Sequence, residues 1–496
     1  MERFEFSFGP TGGRRREEAP FHILVLADVA GDAPLPPLGE RKFLATDIDN
    51  LDERLNALGP SLALDVPDVI RGEGELHADL TFRSLADFEP AAVVASIPAL
   101  KKLWSAREGL NRMRTRPDPS LGDRPSLEAL LSNVLDDPAL VAAVVPGAGA
   151  PPAEGPAEGE EAAPEAEGAS DLERLLGIAP GQRPQRRPAT PAADLIRKAV
   201  EGAPRISDSA LQSINALIER IDEVFFEQLN AVFHHPAFQG LEATWRGIHY
   251  LVSNLETDEL LGVFVAAVSR EELARDETFE WLGGQMRGGA VGCVVADWEF
   301  SHDAGDVECL RRLASVAPGA LVAGASPRLL GLGSWREFDP GADPAARLRG
   351  PDHSAWRSLG TSALARRIFL AMPRFLGRLP YGARTNPPEG VFFEEGASVE
   401  RPGDFMWCNA AFGLGVVAGR CRGQAPPSGS TEECSIEGLP VLTYTDRYGD
   451  REMMCPVEVG IPADAAVALT ACGLTPLLHV KNTDRAVFAR APVPHL

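Results

Sequence analysis

Two carboxylates offer this sequence its best opening for acid–base chemistry. Asp297 and Glu299 follow an apolar run, Gly292 to Ala296, that reads as a strand, and α/β enzymes often keep catalytic acids at strand ends. Arg374 and Arg378 carry the charge to pair with them, so the competing and favoured reading is a buried ion-pair cluster that fixes a loop. Other signatures fail on spacing. None of the lysines, Lys42, Lys101, Lys102, Lys198 and Lys481, follows a glycine, which excludes a Walker A phosphate loop. Gly413-Leu414-Gly415-Val416-Val417-Ala418 satisfies the loose dinucleotide pattern, but the residues before it read as helix, so the strand–turn–helix context is missing. No G-x-S-x-G elbow occurs. His234 and His235 are adjacent and His249 lies further on, with no carboxylate or cysteine at metal-ligand spacing, so a helix-cap or core role is expected. The reading is of a chain with no catalytic residue, no cofactor and no metal.

Periodicity supplies the elements that would hold these residues. Pro236 suits the first turn of a helix, where the N–H it lacks would have had no partner, and Phe238, Leu241, Trp245 and Ile248 recur at spacings of three and four. Glu242 precedes Arg246 by four on another face, the favourable order for a helical ion pair, which exposure would limit to about 0.2–0.5 kcal/mol. A long helix from about Ser207 to Phe233, with Leu211, Ile214, Leu217, Ile218 and Ile221 in helical spacing, leads into it. Strands and helices then alternate: strand Leu261 to Val268, helix from Arg270, strand Gly292 to Ala296, helix Val307 to Ala317, strand Ala320 to Gly324. Later come a strand at Ile368 to Met372, a helix near Met406 to Val417, and strands near Pro476 to Val480 and Ala486 to Ala491. Such alternation predicts an α/β layer around a mostly parallel sheet. Trp245, Trp356 and Trp407 are expected in the core, where truncation to Ala costs about 3–5 kcal/mol.

The first part of the chain has its own elements. Phe4, Phe6 and Phe8 alternate with Arg3, Glu5 and Ser7, the pattern of a strand with one apolar face. A flexible tether from Gly9 to Arg16 lets that strand complete its own sheet or add to a neighbour's edge. Phe21 to Val29 and Glu75 to Phe82 read as strands, Ala91 to Arg114 as one helix, and Ser126 to Leu135 as a short one; Leu140 to Val145 suits a terminal strand. From Pro146 to about Ala193 the composition turns to Pro, Ala, Gly and Glu, which cannot offset about 1–2 kcal/mol per residue of backbone ordering. One island, Asp171 to Gly177, starts with a capping residue and puts Leu172, Leu175 and Leu176 on one face. The fold expected is therefore α/β, with two globular α/β blocks, residues 1–145 and 194–496, joined by a disordered acidic linker, residues 146–193.

Charge narrows the partners. At 496 residues the chain has a net charge of -23 and a pI near 4.9, which argues against nucleic acid. Eight acidic side chains and no basic one lie between Glu154 and Glu173. The seven cysteines form no C-x-x-C pair, and their odd number suits a reduced, cytoplasmic protein. The N-terminus has no secretory pattern, and no apolar run reaches the roughly eighteen residues that span a bilayer, so no membrane insertion is expected.

The order of residues adds a resemblance. His234-His235-Pro236, Phe238-Gln239, Leu241-Glu242 and Trp245-Arg246-Gly247 resemble the signature of TssC, the large sheath subunit of the bacterial type VI secretion system. Gly283-Gly284, Ala296 to Phe300, Ala325-Ser326-Pro327, Trp356-Arg357-Ser358, Pro373 to Gly382, Trp407 to Ala410, Cys455 to Val459, Gly473 to Leu478 and Asn482 to Ala486 continue it in order. Ala296 and Trp298 depart from the family's Gly-Asp-Tyr-Glu-Phe, and Val457 stands where relatives usually carry Thr. Phe21 to Asp28, Glu40 to Phe43, Asp47 to Asn50 and Leu80 to Phe88 are similar to TssB, the small sheath subunit. The resemblance implies a fused, non-enzymatic protomer that stacks with other sheath protomers around an Hcp-type inner tube, meets a baseplate, and contracts by repacking. It also implies that the Leu172, Leu175 and Leu176 helix is a docking candidate for a ClpV-type AAA+ ATPase. TssC continues into a C-terminal domain where this chain stops at Leu496, which leaves room for a second expectation, a paralogue that caps, nucleates or regulates a sheath of longer subunits.

Overall fold

The structure, a computed structural model, describes residues 20–115, 210–398, 401–422, 433–445 and 448–492. Phe4, Phe6, Phe8, Leu172, Leu175 and Leu176 lie outside the described residues, as do the elements expected at Ser126 to Leu135 and Leu140 to Val145.

The apolar run after Phe21 forms β1 (His22–Ala27), whose residues from Ile23 on are wholly buried. β2 (Leu44–Thr46) and α1 (Leu51–Leu58) follow, then an antiparallel hairpin of β3 (Ser61–Pro67) and β4 (Glu75–Thr81). In β3 Leu62, Leu64 and Val66 face inward while Ala63 and Asp65 face water, the period of two that a half-buried strand requires. The single helix expected over Ala91 to Arg114 is two, α2 (Pro90–Ser96) and α3 (Pro98–Thr115). Pro98 crowds the backbone of Ile97, which leaves the helical region at φ -105°, ψ 108° and breaks the run.

The second part opens with α4 (Ala210–Phe233) and α5 (Pro236–Ser253). Next come β5 (Val263–Ala267), α6 (Asp276–Met286), β6 (Val291–Phe300), α7 (Ala304–Val316), β7 (Ala320–Ala325), α8 (Ser354–Gly360) and β8 (Ile368–Met372). The region expected as one helix near Met406 splits: β9 (Phe375–Leu376) pairs with β10 (Trp407–Cys408), and α9 (Ala410–Cys421) starts after Asn409. The chain closes with β11 (Ser435–Ile436), a hairpin of β12 (Thr443–Thr445) and β13 (Arg451–Met453), α10 (Ala463–Ala471), β14 (Leu474–His479) and β15 (Ala486–Phe488).

One nine-stranded sheet runs β11-β15-β14-β8-β7-β6-β1-β5-β2. From β14 to β5 every pair is parallel. Strand β1, from the first part of the chain, lies between β5 and β6 of the second, so the α/β blocks read from the sequence share a sheet. Taken from β5 to β14, the parallel strands appear in chain order 2-1-3-4-5-6, a doubly wound arrangement whose switch point lies between β1 and β6. Alternation sorts the two faces: Ile23 and Val25 join one core with α4, α5 and α9, and Leu24 and Leu26 join the other with α6, α7 and α10.

Glycines let α9 lie close. A Cβ on Gly247 of α5 would sit 2.2 Å from Phe412 Cδ2, and one on Gly415 would sit 2.9 Å from Val295 on the sheet. Helix-on-sheet contact is thus the physical use of the Gly413-Leu414-Gly415 run.

Candidate functional site

Helix α5 is where the family-like residues converge, and its sides face different neighbours. His235 caps it, its Nδ1 accepting from Ala237 N at 3.3 Å. Phe238, Leu241 and Trp245 are buried against the first part of the chain. Phe238 meets the stacked Phe82–Phe88 pair edge-on, at ring separations of 6.1 and 6.0 Å, and Trp245 Nε1 donates to Val29 O at 3.1 Å. The contact continues away from α5. Arg41 donates two bonds of 2.8 Å to Glu272 and a third to Ala267 O, and Gln228 bonds Val69 N and Pro67 O. Arg107 pairs with Asp222, and Trp104 lies 5.6 Å from Phe225, so α3 and α4 run antiparallel.

The opposite side of α5 carries a buried ion cluster, and here the exposed pair expected of Glu242 and Arg246 is corrected. Glu242 has no solvent exposure, because loop residues from far along the chain close over it. It accepts from Arg246 Nε at 2.7 Å and from Arg378 Nε and Nη2 at 2.7 and 3.3 Å. Arg378 also bridges to Glu395 at 2.7 and 3.3 Å, and Tyr381 N donates to Glu395 at 2.8 Å. The Tyr381 ring lies under the Arg378 guanidinium, and Arg246 reaches the Tyr381 hydroxyl. Two carboxylates and two guanidiniums therefore balance. Burial alone would raise Glu395, but the Arg378 charge, the hydrogen bonds from Arg378 and His234 and the Tyr381 N–H together outweigh it and bring the carboxyl down to about 2. Burial likewise opposes charge on Arg378, yet Glu242 and Glu395 hold it above its ordinary value. Such a cluster is stabilising only as a complete set, since removing one member leaves a buried charge without compensation.

Arg374 and Arg378 do not meet Asp297 and Glu299 as one group. Arg374 makes a bidentate pair with Glu458, both bonds 2.9 Å, and stands 3.7 Å from Glu299, a third of whose side chain is exposed. Burial raises the Glu299 carboxyl, and Arg374 offsets part of that. Asp297 faces no arginine. It accepts from Thr244 Oγ1 at 2.6 Å and from the Asn409 side chain, and burial pushes it up to about 6, with Asp28 beside it adding in the same direction. Part of the residue's surface still reaches solvent, although its carboxyl is set among protein atoms. This is the switch point at the carboxyl ends of β1 and β6, where a doubly wound fold takes its ligand. Here Thr244 of α5 and Asn409, which also caps α9 through Ala411 N, hold the carboxylate from within the chain.

Chemically the arrangement is a clamp. Among the described residues no three of His, Cys, Asp and Glu are grouped to hold a metal ion, and the pocket beside Leu330, Phe338 and Arg347 is lined by none of Glu242, Asp297, Glu299 and Glu395. Sequence reasoning picked out Glu242, Arg246 and Arg378 but missed Glu395 and Thr244. Glu395 follows Phe392-Phe393-Glu394 with no period to set it apart, and its role comes only from the loop that folds over α5.

Comparison with known proteins follows the same division of the chain. Residues 215–494 match the family model VipB, described as EvpB/VC_A0108, tail sheath N-terminal domain. Residues 3–147 match T6SS_VipA, described as type VI secretion system, VipA, VC_A0107 or Hcp2. The chain is 35% identical over 337 residues to the type VI secretion system sheath protein TssC1 of Pseudomonas aeruginosa, covering 62% of this chain and 67% of that protein. It is 38% identical over 144 residues to the sheath protein TssB1 of the same organism, covering 29% of this chain and 81% of that protein. Among solved structures, one chain of the VipA-N2/VipB contracted sheath of type VI secretion system is 33% identical, with a TM-score of 0.19, covering 23% of this chain and 93% of that one.

Proposed function

Because the chain belongs to the tail sheath family of the type VI secretion system, with its VipA and VipB parts in one polypeptide, we propose that it works by assembly rather than by catalysis. In this reading it is a structural protomer of a contractile sheath, stacked with further copies around an Hcp-type inner tube on a baseplate. Contraction is a switch between discrete packings of protomer interfaces. The observation that carries the reading is the placement of β1 between β5 and β6: the small-subunit and large-subunit parts are one mechanical body, which a protomer that transmits force needs. The acids that would serve an enzyme are instead committed to Thr244, Asn409 and the arginines.

The proposal divides the chain into a small-subunit part, residues 1–145, a linker, residues 146–193, and a large-subunit part, residues 194–496. It places the protein in the cytoplasm; no helix among the described residues is long and apolar enough to cross a membrane. Fusion fixes the two parts at one to one and raises their effective concentration to about the millimolar range. Phe4, Phe6 and Phe8 are the proposed strand for contact between protomers. Leu172, Leu175 and Leu176 are the proposed dock for a ClpV-type ATPase, to be tested by pull-down before and after changing all three to Ala. Negative-stain microscopy of the purified chain tests the main claim. Tubules or stacked rings are expected; discrete particles that join only a lattice of longer large subunits would make it a cap or regulator instead.

A further inference from the structure

Two unbonded thiols stand at the end of α9 and at the start of β11. Cys421 is the last residue of the helix and Cys434 immediately precedes the strand, and the two elements pack together. Arg420 Nη1 donates to Ser435 O at 2.8 Å, linking the residue before one cysteine to the residue after the other. Arg422 closes the helix in the left-handed region, φ 45°, its N–H donating to Ala418 O. Cys434 is pinned by its carbonyl, which accepts from Phe488 N at 2.9 Å. Of the charges that bear on Cys421, that of Cys434 weighs more than those of Glu433 and Arg420, the sequence neighbours of the two thiols.

From this placement we propose that Cys421 and Cys434 are a redox modification site, closing to an intramolecular disulfide when the chain meets a low-molecular-weight disulfide of the glutathione type. Cys421 is the more exposed of the two and reacts first, attacking a sulfur of the small disulfide. Its thiolate displaces one small thiolate and forms a mixed disulfide; the Cys434 thiolate then attacks the Cys421 sulfur and releases the second. Two protein thiols are oxidised, one small disulfide is reduced to two thiols, and the two protons pass to those thiols. The bond closes a ring over residues 422–433 and ties the end of α9 to β11. Burial pushes Cys421 up to about 11, so the first step is slow near neutrality and quickens about tenfold for each rise of one in pH.

The test is to incubate the full folded chain with oxidised glutathione at about pH 9, quench with acid, count thiols after unfolding, and map the peptides by mass. Free thiols should fall from seven to five, with one new link joining Cys421 to Cys434 that dithiothreitol reverses. Cys421→Ser should keep its remaining six thiols, whereas Cys434→Ser should collect a glutathione adduct on Cys421. Retention of all seven thiols, or a bond that involves Cys455 or joins two chains, overturns the proposal.

Discussion

Glu242 shows how a spacing legible in the sequence takes its meaning from residues far away. The four-residue step to Arg246 was readable, but the depth of the pair was not, because Arg378 lies 136 residues further on and Glu395 beyond that. Charge balance in the cluster gives a prediction. Glu242→Gln leaves Arg246 and Arg378 facing Glu395 alone, and should cost about 3–5 kcal/mol by urea unfolding. Glu242→Gln with Arg246→Met removes one charge of each sign and keeps the Arg378–Glu395 pair, so it should cost less than the single change. A double variant no more stable than Glu242→Gln would sink the balance argument. Asp297 yields a second prediction, from its rise from 3.8 to about 6. A carboxyl raised in the folded state binds its proton more tightly there than in the unfolded chain. Its contribution to stability is full below about pH 4 and is lost as pH climbs through about 6, to the extent of about 3 kcal/mol. Asp297→Asn should flatten the stability profile between those limits and be at least as stable as the parent at pH 8. An unchanged slope would show that other groups carry the pH dependence.

At the scale of elements, most strands and helices of the second part were legible, α4 and α5 by their helical period and β7 and β8 as short continuous apolar runs buried on both faces. Failures had local causes. Pro98 divided a helix whose apolar residues keep spacing on both sides of the break, and the alternation of β3 was passed over although Leu62, Leu64 and Val66 spell it out. Gly413 and Gly415 fitted a cofactor pattern by spacing, and only the packed helix shows that they make room for side chains. Gly247 tests that contact most directly. Gly247→Ala puts a methyl group 2.2 Å from Phe412 Cδ2, so α5 and α9 must separate or the ring must turn, at about 1–3 kcal/mol. Adding Phe412→Leu should recover part of the loss, which thermal unfolding of the two variants would measure. No recovery would place the strain somewhere other than the α5–α9 contact.

On the scale of the whole molecule, the order of strands was not legible, because a parallel sheet is built from pairings with no short-range trace. Ile23 of β1 pairs with Val263 of β5, far along the chain, and nothing near either of them announces the partner. The consequence concerns how the chain holds together. Strand β1 supplies partners to both β5 and β6, and Arg41, Val29, Phe82, Phe88 and Arg107 all meet residues of the second part. If those contacts carry the association, the covalent connection through residues 116–209 is not what keeps the parts joined. A site for a specific protease inserted there should therefore allow the chain to be cut without dissociation, and both fragments should elute together in gel filtration until urea unfolds them. Val25→Asp, which sets a charge at a position with no exposure, should weaken that association in the cut protein. Fragments that separate at once under native conditions would mean that the shared sheet depends on the tether, and the view of the two parts as one load-carrying body would fall with it.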